Sequence, residues 1–412
     1  MMRRPELLSP AGDMEKLKFA IHYGADAVYL AGVEFGMRSA SANFTDEALA
    51  DAIVYAHARG VRVYVTVNTM PRTAELPRMQ AYLTFLEKAG ADAVILSDLG
   101  VLSLVQRYAP GLEVHISTQA SIVNAQSARM WHSLGAKRIV LARELALDEI
   151  AEIRAKTPDT LELEAFVHGS MCVSYSGRCL LSNYMTGRDA NHGNCAQPCR
   201  WSYHLMEEKR PGEYYPVEED ARGTYIFNSK DMCMIRHIPE LVRAGIDSFK
   251  IEGRVKTAYY AAIVTNAYRQ AIDLYSSDPE SFSLPDDIAL EVDKVSHREY
   301  YTGFYFGGGA QGQYYPDSAY IRDWDVCAVV DSCDGEGNAC LTQKNRFFLG
   351  ERLELVEPGR APCVFTVGEM KNELGETIDS APHPHMKVML RLPHAADPMA
   401  ILRKDKRQDM QR

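Results

Sequence analysis

Tyr23-Gly24-Ala25-Asp26 followed by Ala27-Val28-Tyr29-Leu30 is a phrase the chain repeats: a glycine, a small or apolar residue, a polar residue, then a short apolar run. It returns as Ala89-Gly90-Ala91-Asp92 before 93–96, as Leu134-Gly135-Ala136-Lys137 before 138–141, and as Ala244-Gly245-Ile246-Asp247 before 248–251. A glycine in this place ends a helix, where a left-handed residue is needed, and the apolar run that follows is the next strand. The phrase therefore writes helix, turn, strand, four times over.

Further strand patterns at 6–8, 61–68, 113–118 and 161–168 bring the number to eight, with helical patterns such as 45–59 and 76–88 between them. Strand and helix in strict alternation imply a parallel sheet, and eight such units in roughly 250 residues match a closed (β/α)8 barrel. An open doubly wound sheet is the alternative. The barrel is expected over 1–275. Its seventh strand is followed by about 80 residues before the eighth, so a large insertion, 169–235, leaves the barrel there. Loops after strands emerge at the face where barrel enzymes place their active sites. Beyond the barrel, 276–300 reads as a linker with a helix. The short alternating runs of 301–395, punctuated by Asp334-Gly335-Glu336-Gly337 and Pro358-Gly359, read as a small antiparallel β domain resembling a barrel, and 396–412 as a basic tail.

With 46% hydrophobic and 24% charged residues the chain can bury a full core. A net charge of −10 excludes a protein that coats nucleic acid through a uniformly basic surface, while leaving room for an RNA-modifying enzyme with a local basic patch. The start has no apolar leader segment, and no run approaches the ~18 apolar residues of a membrane span, so a cytoplasmic protein without membrane partners is expected.

Alternation along each strand sorts its side chains between helices and lumen. Val63, Val65 and Val67 face the helices and turn Tyr64, Thr66 and Asn68 inward. By the same parity His115, Ser117 and Gln119, then Glu162, Glu164 and His168, then Lys250, Glu252 and Arg254 face the lumen. A lumen filled only for packing would be aliphatic, because buried charge without partners costs several kcal/mol per group. One reading is a closed set of internal salt bridges, for example Glu164 with Lys250. The other is a site for an anionic ligand at the upper strand ends, with His168 placed to move a proton near neutral pH.

Five of the nine cysteines lie in or beside the insertion: Cys172, Cys179, Cys195, Cys199 and Cys233. In a chain without a secretory signal such a cluster argues for a soft-metal or iron-sulfur site over disulfides. The spacing C-x6-C-x15-C-x3-C-x33-C lacks the C-x2-C knuckles of structural zinc sites and the tight run of bacterial ferredoxins, so it does not choose between zinc and iron-sulfur.

Glu164-Ala-Phe-Val-His168-Gly-Ser-Met-Cys172, Tyr175-Ser-Gly-Arg-Cys179, Cys195-Ala-Gln-Pro-Cys199-Arg200, Ser229-Lys230-Asp231 and Phe249-Lys-Ile-Glu252-Gly-Arg254 resemble the collagenase-like peptidase family U32, as does the opening Glu6-Leu7-Leu8-Ser9-Pro10-Ala11-Gly12. The resemblance is strong from residue 5 to about 275 and looser beyond. It implies one of two activities, proteolysis or hydroxylation. The family's hydroxylating branches act on tRNA wobble uridine, on 23S rRNA cytidine and on quinone precursors. For the tRNA branch it implies oxygen-independent 5-hydroxylation with a 4Fe-4S cluster and prephenate as co-substrate. Zinc is the alternative metal. Cys172, Cys179 and Cys195 would then be ligands, with Cys233 the fourth in one relative's pattern and Cys199 in another's. His168, Glu252 and Glu164 become candidates for catalysis. Asn68, Gln119, Arg143, Lys250 and Arg254 become candidates for holding a small anionic donor, and Arg188 and Arg200 for meeting tRNA. A ferredoxin-like electron donor and a downstream tRNA methyltransferase or carboxymethyltransferase are the partners such chemistry implies. The residues themselves favour hydroxylation over proteolysis, since no Gly-x-Ser-x-Gly, His-Glu-x-x-His or Cys-His-Asn order supplies an activated nucleophile or a metal-bound water.

Overall fold

Gly24, Gly90, Gly135 and Gly245 all take positive φ, between 80° and 104°, and each ends a helix ahead of a strand. At Gly245 a Cβ would also collide with the Arg154 side chain, which would have to shift. A computed structural model of the chain describes residues 4–37, 43–171, 179, 181–190, 195–198, 205–206, 214–215, 218–220, 223–225, 230–307 and 320–407.

Seven parallel strands pair in sequence order: β1 (Glu6–Pro10), β2 (Ala27–Leu30), β3 (Arg62–Thr66), β4 (Ala93–Leu96), β5 (Glu113–Ile116), β6 (Arg138–Val140) and β7 (Glu162–Ser170). An eighth, Ser248–Ile251, closes the circle by pairing with both β1 and β7. The result is the closed TIM-like barrel, with all eight strands where the sequence places them. Between them run helices such as Asp46–His57, capped by the Thr45 side chain accepting from the Ala48 N–H, and Leu76–Ala89.

The expected parity is observed on four strands. Val63, Val65, Val67, Val114, Ile116, Leu163, Ala165, Phe249 and Ile251 lie in the core between barrel and helices. Each of these side chains larger than alanine contributes roughly 1.5–3 kcal/mol on burial. That burial fixes the register, since a one-residue slip would exchange the two faces.

The insertion returns to the barrel as the strand Asp231–Cys233, antiparallel to the end of β7, and Tyr300–Tyr301 pairs beyond it. The boundary expected at 301 therefore moves. Tyr305 donates to the Phe166 carbonyl at 2.5 Å and accepts from the Leu147 N–H at 2.9 Å, so 301–307 packs on the barrel. The antiparallel sheet begins at Trp324. It has eight strands, ordered Cys363–Thr366, Arg352–Val356, Ile401–Asp405, Trp324–Cys333, Asn338–Gln343, Lys387–Arg391, Met370–Asn372 and Thr377–Ile378. Among the described residues no pairing joins its two ends, so it is an open sheet over its own core of Cys327, Leu341, Leu353, Val388 and Leu402.

The expected tail is also corrected. Ile401–Asp405 is an inner strand, and its basic residues are paired inside: Arg403 with Glu291 at 2.8 Å and Glu354 at 2.7 Å, Lys404 with Glu351 at 2.7 Å. Cations that look like a frayed terminus in the sequence are internal counter-ions. Arg403 also joins the sheet to the linker, where Glu291 lies in the turn Leu290–Lys294, and Tyr23 of the barrel donates to the Val356 carbonyl at 3.1 Å. These contacts hold the β unit against the barrel. Among the described residues no helix is long and apolar enough to cross a membrane.

Candidate active site

The lower lumen is a network of charges. Arg138, 1% exposed, meets Glu6 at 2.6 Å, Glu162 at 2.6 Å and Glu164 at 3.0 Å, and Lys250 meets Glu164 at 2.8 Å. Tyr64 donates to the Glu6 carboxylate at 2.7 Å, Ser248 donates to it at 3.0 Å, and Arg62 pairs with it. Burial alone would raise the Glu6 carboxyl, but the guanidiniums of Arg138 and Arg62 hold it down at about 2. Burial likewise opposes the charge on Glu164, which Lys250 and Arg138 keep below the usual carboxylate range. Burial also lowers Lys250 against the pull of Glu164. Glu164, expected as a candidate for catalysis, is thus a fully enclosed member of a salt-bridge network, as the first reading of the lumen has it. Lys250 is its lid.

Above Lys250 the lumen opens into a cavity of about 830 Å³ that continues to the edge of the C-terminal sheet. Its inner wall carries Asn68, Gln119, Arg143, Glu252 and Arg254, drawn from the ends of β3, β5, β6 and the eighth strand. Arg143 donates to the Ser170 carbonyl at 2.8 Å and lies 3.9 Å over the Phe166 ring. Arg254 donates to Thr66 at 3.1 Å, and Asn68 to Ser117 at 3.4 Å. Tyr29 donates to Glu252 at 3.4 Å. Three polar atoms of this wall, Arg143 Nε, Gln119 Nε2 and Asn68 Oδ1, are buried without a hydrogen-bond partner among the described residues. Such groups cost about 1–3 kcal/mol each when left unsatisfied, so their gathering in one cavity marks a place built to receive a polar ligand.

His168 is not in this cavity. Lys250 pairs with Phe166 but Ile251 pairs with His168, a bulge at Val167 that reverses the parity of β7 beyond it. The imidazole points out of the barrel, its Nδ1 3.5 Å from the Tyr268 hydroxyl and its Nε2 3.3 Å from that of Tyr300. Burial, with the nearby His297 and Lys256, pushes it down to about 3. It stays neutral through the physiological range and packs behind the wall, against Tyr260, without lining the cavity itself, so the proton-transfer role expected of it is withdrawn. The strand alternation that assigned it could not register a single extra residue.

Of the five clustered cysteines, Cys179 and Cys195 lie on the cavity wall. Cys233 sits on the strand beside His168, away from the cavity lining, and burial pushes its thiol up to about 12. Cys172 and Cys199, with Arg200, lie outside the described residues. No group of three potential metal ligands occurs among the described residues. Arg188 is exposed on the insertion and does not line the cavity. Sequence reasoning missed Lys256, Tyr320, Arg322 and Trp324 on the outer wall. The cations at Arg254 and Lys256, leading into the helix after the last barrel strand, were a usable signal for Lys256. Nothing in the spacing marked the other three.

A TIM-like barrel whose mouth is lined by buried cations and by thiols from an insertion after its seventh strand defines a class of barrel proteins with a cation-lined chamber at that face. Within that class the family is shown directly. The model of peptidase family U32 matches residues 12–313 and that of the peptidase family U32 C-terminal domain matches 322–403, and the chain belongs to this family. It is 38% identical to tRNA hydroxylation protein P1 of Bacillus subtilis over 98% of this chain and 96% of that protein. It is 47% identical to an uncharacterized protease of Methanocaldococcus jannaschii over 74% of each. To a 23S rRNA 5-hydroxycytidine synthase of Escherichia coli it is 40% identical, over 66% of this chain and 39% of that protein.

Proposed function

We propose that the protein is an enzyme that hydroxylates RNA, placing a hydroxyl on C5 of the wobble uridine of tRNA. The observation that carries this reading is the set of unpartnered polar atoms on Arg143, Gln119 and Asn68, in a cavity shared with Cys179 and Cys195 and large enough for a nucleoside beside a small dicarboxylate. Relatives whose names speak of tRNA hydroxylation and of 5-hydroxycytidine in rRNA support the same chemistry on a pyrimidine.

Replacing C5–H by C5–OH is a two-electron oxidation, so the oxygen donor must itself be reduced by two electrons or the electron pair must pass to a separate acceptor. Arg143 and Arg254 hold the carboxylates of the donor, prephenate by family resemblance, while Gln119 and Asn68 orient its polar groups. Glu252, steadied by Tyr29, takes the proton lost from the pyrimidine carbon. Lys250 and Glu164 form the rigid base of the chamber. The thiol set suits a 4Fe-4S cluster, with Cys172, Cys179, Cys195 and Cys199 as holders, because Cys233 faces away from the chamber. Such a cluster supplies electron transfer.

Proteolysis has no comparable support. Among the described residues no histidine lines the cavity beside its serines and cysteines, and an imidazole base is what a hydrolase of that kind needs. The test is mass spectrometry of tRNA nucleosides from cells with and without the gene. The reading expects 5-hydroxyuridine and its derivatives to vanish in the deletion. An unchanged tRNA profile with loss of a hydroxycytidine from ribosomal RNA would move the substrate, and no change in either would end the proposal.

A further inference from the structure

The outer lobe of the cavity departs from the charge of the chain as a whole. The protein carries a net charge of −10, yet the cavity lining holds seven cations against the carboxylates of Glu15, Glu252 and Asp325. Three of the seven, Arg143, Lys250 and Arg254, belong to the inner wall already described. Lys344 and Lys406 in the outer lobe are paired with Glu15 and Asp325, both at 2.9 Å. The other two, Lys256 and Arg322, are held around an aromatic ring.

Tyr320 gathers three cations around one ring. Lys256 Nζ lies 4.1 Å from its centroid, Arg298 4.9 Å and Arg322 5.7 Å. A carboxylate would cancel the charges it assembled, whereas an aromatic ring attracts cations through its quadrupole and leaves their net charge in place. Among the described residues the nearest carboxylate on the cluster, Asp231, is 3.8 Å from Lys256 and accepts from the Arg298 backbone N–H at 3.2 Å, one carboxylate against three cations. Lys256 also leads directly into the helix Ala258–Ser277, capped by Thr257, whose first turn carries no acidic residue and lines the same lobe. The positive end of that helix adds to the field. In barrel enzymes the loop after the last strand and a helix start beside it form a recurrent phosphate site.

We propose that Lys256, Arg322 and the start of this helix, organised by Tyr320, seat RNA phosphodiesters, gripping the backbone beside the pyrimidine that enters the inner lobe. This rests on the RNA reading above and extends it. The backbone would cross at the seam between barrel and β unit, and not over Arg188 on the insertion. A pyrimidine reaches the inner wall only if it is swung out of its stack, so the target must lie in a loop or single strand.

The test is fluorescence anisotropy of the full-length wild-type protein with a labelled, unmodified anticodon stem-loop across a salt series. Wild type should bind with an affinity that falls steeply as salt rises. Arg322→Ala, a change at an exposed side chain, should weaken binding about threefold to tenfold at low salt and flatten the log–log salt slope by about one. Tyr320→Ala, which disperses the cluster, should weaken it at least as much. Tyr320→Phe, which keeps the ring, should match wild type, and thermal melts of all three should coincide with the parent. Wild-type affinity and slope in Arg322→Ala and Tyr320→Ala would overturn the seat while leaving the RNA reading standing. Absence of RNA binding by the wild type itself would instead overturn that reading and the seat with it.

Discussion

The floor and the mouth of the barrel lumen are both polar, and they are polar for opposite reasons. On the floor every charge has a countercharge within 3.0 Å: Arg138 meets Glu6, Glu162 and Glu164, and Lys250 meets Glu164. At the mouth, Arg143 Nε, Gln119 Nε2 and Asn68 Oδ1 are buried with no partner among the described residues. A satisfied network holds the strands in place and has nothing left to offer a ligand. Buried polar groups left unsatisfied cost stability, and these three share one cavity that a polar ligand can enter. The boundary between structure and chemistry therefore runs through the lumen at Lys250, and not between polar and apolar residues.

The largest expected effect lies on the floor. Arg138→Met leaves three carboxylates facing one another in a closed space, and should cost roughly 3–5 kcal/mol in urea denaturation. A loss under about 1 kcal/mol would mean that the network does not hold the barrel. The same charges set the acid response. The folded-state value of Glu6 is held at about 2 against an ordinary 4.5. Its contribution, about 3 kcal/mol, is fully present above pH 4.5 and is lost as the pH falls through 2. Urea midpoints measured across that window should fall steeply in wild type and more gently in Arg138→Met. Parallel acid limbs would contradict the pairing.

At the mouth the balance reverses. Gln119→Leu removes an amide whose Nε2 has no partner among the described residues and should leave stability within about 0.5 kcal/mol of wild type while lowering kcat/KM for hydroxylation by about 10- to 100-fold. Equal losses in both quantities would erase the distinction between the two regions. The smallest effect is expected at His168. His168→Gln should leave the pH profile of the reaction unmoved, because the imidazole is already neutral and lies outside the chamber. A displaced profile would restore the proton-transfer role.

Most of this architecture is legible in the sequence because it rests on periodicity. The glycine phrase marks helix ends and strand starts, and Val63, Val65 and Val67 reveal the inward face of β3 by alternation alone. Legibility fails where periodicity is broken or too short. One bulged residue at Val167 turns His168 out of the lumen. β6 has only three residues, so parity gave little warning that Arg138 anchors the floor. Arg403 and Lys404 read as a solvated tail because their partners, Glu291, Glu351 and Glu354, lie 49 or more positions away in the chain. Pairing at that separation leaves no local mark. The cysteines advertised a site, but only the fold separates Cys179 and Cys195, on the cavity wall, from Cys233, behind it.

The central claim is that the mouth of the lumen is where RNA is hydroxylated. The most direct test is nucleoside mass spectrometry of tRNA from the deletion strain complemented with wild type or with Arg143→Gln, the variant checked for a wild-type thermal melt. Wild type should restore 5-hydroxyuridine, and Arg143→Gln should leave it absent. Full restoration by the folded Arg143→Gln protein would contradict the account.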